Sequence, residues 1–390
     1  MKEGTIEMTV MKLTKEHYKD AMKLSEYAFK YKVPEEKVEE RLELMDKHHQ
    51  LYGIFSGEEL AAKLHLLPLE VYIGGRTVKM GGVAGVATYP EYRRSGFVRE
   101  MLTDLLETMK NEGYTISMLH PFSVPFYRKY GWELFSSYLK ASLKSESLVM
   151  KKQDLGTVKR HAGKDGHSEE IEKVYDQFAS RFSGMLKRET RWWQQSIYSD
   201  DTYAAVYYNE NGAAEGYLLY AVKDSKMTVE EFVPLTTSAR TGLWNFICQH
   251  DSMIKDLEIT TFESDPLFYS LKEPRIKAEV TPYFMARIVD AAAFLRNYEF
   301  ASQERTVLTI KDEYAHWNNG TYEITDGNVT KTDAEKSEIS LSINALTAAL
   351  LGYKRPSDLY EIGEMEGSEE AAIRLERLIP ERKSFFYDFF

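Results

Sequence analysis

The sequence predicts an α/β (α+β) fold built from three successive units. Its 390 residues are enough for two or three domains at roughly 100–200 residues each. Two stretches, Gly81–Tyr130 and Met227–Leu271, read strand, helix, strand and short helix in the same order. From about Ile288 the pattern changes to hairpin signals and short helices. The expected limits are therefore 1–150, 151–286 and 287–390.

In the first unit a strand over Ile6–Lys12 leads to Thr14 as a helix N-cap. Tyr18, Ala21, Met22 and Ser25 then recur at helical spacing. Glu35–Lys47 is a second, charged helical pattern with one apolar stripe. Gln50–Ser56, Leu60–Pro68, Val71–Ile73 and Arg76–Lys79 read as strands, with Gly74-Gly75 as a hairpin turn. Gly81–Thr88 is a strand of small apolar residues that runs into a polar turn, Pro90–Gly96. The helix after it carries Phe97, Met101, Leu102, Leu105, Leu106 and Met109 on one face, and Gly113 suits the position past its end. Thr115–Leu119 reads as a buried strand, Val124–Tyr130 as a short helix stopped by Gly131, and Trp132–Leu143 as a strand.

Leu148–Gly166, rich in Lys, Asp, Gly and His, is a boundary zone. Beyond it lie strands at Tyr203–Tyr208, Gly216–Val222 and Met227–Leu235, a helix at Ser238–Asp251 and a strand at Leu257–Phe262. A short helix at Asp265–Leu271 ends this unit. The third unit offers a helix at Val289–Tyr298, strands at Arg305–Asp312 and Gly320–Ile324, and a turn at Asp326-Gly327. Ser337–Ile343 runs into a helix at Ala345–Gly352, and Ser368 caps a last helix that Pro380 stops. The final residues, Phe385-Phe386-Tyr387-Asp388-Phe389-Phe390, are too apolar to remain in water.

Composition narrows the function. Hydrophobic residues make up 43% and aromatics 13%, which supplies packed cores and excludes the disordered class. The single cysteine, Cys248, excludes an internal disulfide, and no Cys/His spacing fits zinc, so a reducing cytoplasm and no metal are expected. The first residues lack the apolar run of a signal peptide, and no stretch of about 18 apolar residues predicts a membrane span. A net charge of −11 argues against nucleic acid and suits a cationic small molecule, although acidic proteins are also ordinary.

One motif carries chemistry. Arg93-Arg94-Ser95-Gly96-Phe97-Val98 lies between a strand and a helix. The first amides of a helix have no internal partner and sit at its positive end, which attracts phosphate. Gly96 permits close backbone approach, and the arginines add charge. With Val86-Ala87-Thr88 upstream and Phe126-Tyr127-x-x-x-Gly131-Trp132 downstream, this set resembles the GNAT acetyltransferases. Val98 stands where that family prefers Gly or Ala.

The whole chain is similar to the Eis ("enhanced intracellular survival") family of multi-acetylating aminoglycoside N-acetyltransferases. The resemblance implies tandem GNAT-like domains, the second without cofactor, followed by a sterol-carrier-protein-like α/β domain. It implies acetyl-CoA as cosubstrate, held by Val86, Ala87, Thr88, Arg94, Ser95, Gly96, Phe97, Val98, Arg99, Phe122 and Ser123. It implies Tyr127 as general acid and the terminal carboxylate of Phe390 as general base, a cationic amine acceptor, and a homo-oligomer that is a hexamer. An acidic residue adjoins the terminal Phe in the family pattern, whereas Asp388 stands two positions back.

Other residues attract less. Glu26 is a weak candidate for a substrate contact. His120, near the expected site, reads as a packed or solvent-facing histidine. His48-His49 reads as a surface pair, and Arg191-Trp192-Trp193 as a packing or interface element. Arg240 and Gly242 have the wrong spacing for a phosphate loop. The competing classes are a lipid-binding or interaction protein with an inactive GNAT fold, and a protein lysine acetyltransferase.

Overall fold

Gly74 and Gly75 hold φ angles of 62° and 75°, a left-handed pair that glycine adopts at little cost. Their turn joins two long strands, Glu59–Ile73 and Arg76–Thr88, into the antiparallel ribbon at the centre of the first sheet. The computed structural model describes residues 9–152, 156–332 and 337–390. Ile6–Met8 of the expected opening strand lie outside the described residues, and the strand is seen as Met11–Lys12.

Across the first sheet the order is Met11–Lys12, Gln50–Ser56, Glu59–Ile73, Arg76–Thr88, Ile116–Leu119, Met285–Ile288, Glu133–Leu134. Arg76–Thr88 and Ile116–Leu119 are parallel, joined by the helix Phe97–Asn111. That helix buries the six apolar residues whose spacing predicted it. The second sheet repeats the arrangement, with Lys226–Pro234 and Asp256–Phe262 parallel and joined by the helix Thr237–Cys248. Its helix start is closed by Thr236, whose Oγ1 accepts from the Ala239 amide at 3.1 Å. The helix Glu169–Ala179, which follows the boundary zone and was not among the expected elements, buries Ile171, Val174, Tyr175 and Phe178.

The first two sheets exchange strands. The expected single strand Trp132–Leu143 is broken at Phe135-Ser136, and its halves enter different sheets: Glu133–Leu134 the first, Ser137–Lys144 the second. The segment 277–288 crosses beside it in the opposite direction, so that Lys277–Pro282 pairs with Ser137–Lys144 and Met285–Ile288 with Glu133–Leu134. The bend is closed by the Tyr283 amide donating to Ser136 O at 2.9 Å and the Phe135 amide donating to Phe284 O at 3.2 Å. These bonds carry the pairing of the two segments through the bend.

The third sheet runs Asn328–Thr332, Gly320–Thr325, Thr306–Lys311, Ile339–Ser342, Met365–Gly367. The helices Ile343–Leu350 and Glu369–Leu378 accompany it, and Ser368 Oγ accepts from the Ala371 amide at 3.2 Å to cap the latter. Its core is continuous with the first sheet: Leu308, Leu341 and Leu346 share one cluster with Ile116, Met118, Phe135 and Phe386. Arg287, fully buried, donates to both oxygens of Asp312 at 2.7 and 2.8 Å and ties the two units together. Mixed sheets with helices make the α/β (α+β) class that the sequence predicts. Among the described residues no helix is long and apolar enough to cross a membrane.

Candidate active site

Arg76–Thr88 pairs with Ile116–Leu119 only from Met80 to Gly82. Beyond Gly82 the two strands part, and among the described residues one edge of Val83–Thr88 has no strand beside it. A bulge in the pairing with Glu59–Ile73 falls between Lys63 and His65, opposite Gly85, which holds φ 55°. A bulge turns backbone groups out of the ladder. Val86 lines the opening, Ala87 is buried, and Thr88 keeps a buried Oγ1 that has no partner among the described residues.

At the strand's far end the chain passes through Arg94, with φ 67°, and Gly96, with φ 90°, into the helix Phe97–Asn111. Among the described residues no side chain caps this start, and the first helical bond runs from the Glu100 amide to Gly96 O at 3.1 Å. The Phe97 ring is buried and Val98 packs against the same core, so these residues have only their amides to offer a ligand. Arg94 and Ser95 are exposed, and Arg99 pairs with Glu100 at 3.0 Å. Bare amides, a positive helix end and a glycine are the groups a pyrophosphate needs.

Tyr127 lies on the short helix Val124–Lys129, which begins after Ser123. It is 3% exposed and packs edge-on to Phe122 and Phe126. Burial pushes its phenol above the ordinary tyrosine range. Phe122 is 72% exposed and stands at the rim.

The C-terminal tail is anchored residue by residue. Lys383–Ser384 pairs in parallel with Phe182–Ser183. Phe385 packs on Phe182 and Phe262, and Phe386 on Phe135 and Phe284. Asp388 is buried and accepts from Arg188 Nε at 2.9 Å and Trp192 Nε1 at 2.7 Å. Arg188 also donates to Glu231 at 2.5 and 3.2 Å. Burial raises the Asp388 carboxyl above its usual range, with Arg188 opposing and Glu231 adding to the rise. The Phe390 ring stacks edge-on to Phe284 and reaches Gly82, where a Cβ would lie 3.0 Å from its Cε2. Phe390 therefore sits at the point where the two parallel strands part.

One cavity of about 750 Å³ is lined by Val86, Phe122, Tyr127 and Phe390 together, within the range of small-molecule sites. The turn at Arg94–Arg99 lies outside it. Glu26 does not line it: its carboxylate accepts from Lys32 Nζ at 2.8 Å and the Val33 amide at 2.9 Å, closing the end of the first helix.

Several lining residues are ones that sequence reasoning passed over. Lys63, His65, Leu67 and Leu69, spaced by two along one strand, all face the cavity. Lys63 is 0% exposed and donates to Ser25 Oγ at 2.6 Å. Its Nζ lies 2.9 Å from His65 Nε2, and His65 Nδ1 lies 2.9 Å from His49 Nδ1. Reading His48-His49 as a surface pair is thereby corrected, since both line the cavity. Burial first, with Arg41 also contributing, brings Lys63 down to about 7 and His49 to about 3. His120 also lines the cavity, edge-on to Phe389, and burial lowers it. Trp192 lines it as well, while Trp193 is core. Arg240 is taken up by Asp265 at 2.5 Å.

Comparison with known proteins agrees with this architecture. A model described as an acetyltransferase (GNAT) domain matches residues 9–135, and a second model of that description matches 184–288. A sterol carrier protein domain model matches 291–387. A probable N-acyltransferase of unknown function from Enterococcus faecalis V583 is 31% identical, with a TM-score of 0.91 over 98% of this chain and 99% of that one. An uncharacterized N-acetyltransferase of Streptomyces griseus is 23% identical over 335 residues, 77% of this chain and 79% of its own. Eis1 from Mycobacterium abscessus, 18% identical, shares the fold with a TM-score of 0.82 over 98% of this chain and 100% of its own. The chain belongs to the GNAT N-acetyltransferases, in the Eis-like arrangement of two GNAT domains followed by a sterol carrier protein domain.

Proposed function

We propose that the protein transfers the acetyl group of acetyl-CoA to an amine of a small molecule by direct attack. Amides of Ser95–Arg99 and the Arg94 side chain take the pyrophosphate, Val86–Thr88 takes the acetyl carbonyl, and Phe122-Ser123 border the thioester. The amine nitrogen bonds to the carbonyl carbon and the C–S bond breaks. The terminal carboxylate of Phe390 accepts the amine's proton, and Tyr127 donates one to the leaving sulfur. Amide donors aimed at the developing oxyanion supply the main stabilisation. Burial keeps Tyr127 protonated and so able to donate.

The observation that carries this reading is that one cavity borders the unpaired edge at Val86, Tyr127 and Phe390 at once. The resemblance to Eis proteins and the net charge of −11 favour a cationic acceptor such as an aminoglycoside. The test is CoA thiol release from acetyl-CoA with an amine panel. Tyr127→Phe should lower kcat by about a hundredfold or more, and removal of Phe390 should also lower it, with acetyl-CoA affinity unchanged in calorimetry. Full activity in both variants would overturn these assignments.

A further inference from the structure

The charge-bearing side chains in the wall of the acceptor cavity are all basic. Its lining includes Arg41, Lys63 and Arg191, together with His48, His49, His65 and His120. No aspartate or glutamate side chain lines it among the described residues. The single anion expected there is the terminal carboxylate of Phe390, which the transfer reading already uses on the reacting amine. Arg191 is answered from outside the cavity by Glu189, at 2.6 Å. Arg41 and Lys63 are not answered: neither has a carboxylate partner among the described residues, and the Arg41 Nε is buried without an acceptor.

A half-buried guanidinium with an orphaned donor is costly unless something supplies an acceptor. Its neighbours respond to that excess of charge. Arg41 lowers Lys63, His65 and His49 alike, second to burial at Lys63 and His49. A polycation entering this wall would meet Arg41 and lose water without gaining carboxylates. Most of the remaining lining is apolar or aromatic, including Phe29, Leu44, Leu67, Leu69, Trp192 and Phe389, and Ser25, Tyr31, Gln195 and Ser196 are uncharged polar members of it. Phe29 is 51% and Phe389 63% exposed, so both still have ring surface to cover.

We infer that the acceptor is amino-acid-like, an amine carrying a carboxylate on an apolar frame, and that Arg41, backed by Lys63, receives the carboxylate. This rests on the acetyl-transfer reading above: it keeps the cationic amine and adds a carboxylate to the acceptor, in competition with the aminoglycoside that the family resemblance and net charge favour, and the acceptor panel separates the two. Bidentate guanidinium–carboxylate pairing then fixes one end of the molecule, the aromatic walls cover its frame, and the amine is left to face the thioester.

The experiment compares acid and methyl-ester pairs of phenylalanine, leucine and glycylphenylalanine as acceptors, beside tobramycin and spermidine, in the thiol-release assay. The ester amine is the less basic one, so intrinsic reactivity favours the ester. The acids should nevertheless show kcat/KM higher by about tenfold or more, and Arg41→Gln should abolish that preference while acetyl-CoA binding is retained. Esters equal to acids, or tobramycin or spermidine preferred to every acid, overturns the inference. Calorimetry with 3-phenylpropanoate reads the carboxylate contact without turnover. Binding should weaken by about tenfold in Arg41→Gln, and no binding, or equal binding in both proteins, overturns it. Should no acceptor release CoA while the binding difference holds, the transfer reading fails and the carboxylate site stands.

Discussion

Arg188 and Asp388, two hundred residues apart in the chain, meet through a 2.9 Å hydrogen bond with both side chains fully enclosed. The contact fixes the tail from the second domain, two residues before the chain's last residue. Asp388 faces Arg188 and Trp192, so its carboxylate is spent on anchoring and is not offered to a substrate.

Asp388→Asn should therefore destabilise the protein and disable it together. Removing one partner of a buried pair costs roughly 3–5 kcal/mol, and the low end is expected because Glu231 still pairs with Arg188. Urea unfolding measures the loss, and thiol release should fall with it while acetyl-CoA affinity stays the same. A variant as stable and active as wild type would show that the tail is held by its aromatic residues alone.

Gly82 tests the position of Phe390 from the other side. A Cβ there would lie 3.0 Å from the Phe390 ring and 3.1 Å from Leu69 Cδ1. Gly82→Val should push Phe390 out of line and lower kcat by roughly a hundredfold without loss of acetyl-CoA binding. Unchanged kcat in a folded variant would remove Phe390 from the chemistry.

Lys63 makes stability depend on pH. Its folded value of about 7 lies below the ordinary 10.5. Between those values the unfolded chain binds more protons than the folded one, so stability rises with pH through that window and is lowest below its lower end. Lys63→Met removes this contribution. Relative to the variant, wild type should lose about 2–3 kcal/mol on going from pH 9 to pH 7. Paired urea titrations at the two pH values read it, and parallel behaviour would mean that Lys63 titrates as an exposed lysine.

The turn at Arg93–Val98, its helix and the Gly74-Gly75 hairpin were legible because their signals are local: a glycine at positive φ, a six-residue apolar face, a turn pair. Lys63 and His65 carried a signal that was passed over. Two polar residues at i and i+2 interrupt an apolar strand on one face, which marks a lined cavity better than an exposed edge. The break at Phe135-Ser136 had no such mark. Apolar alternation fixes which face a residue takes, but the choice of sheet for Ser137–Lys144 is made by partners at 256–262 and 277–282. The direction of Asp388 was likewise set by Arg188, which no sequence spacing connects to it.

The interlaced segments 133–144 and 277–288 mean that neither GNAT unit is a separable module. A fragment ending at residue 150 would carry Ser137–Lys144 with no neighbours and would leave Ile116–Leu119 as a naked, apolar margin. During synthesis that margin stays open until residue 288 has left the ribosome. Reassortment of such halves between relatives would have to move both segments as one inheritance.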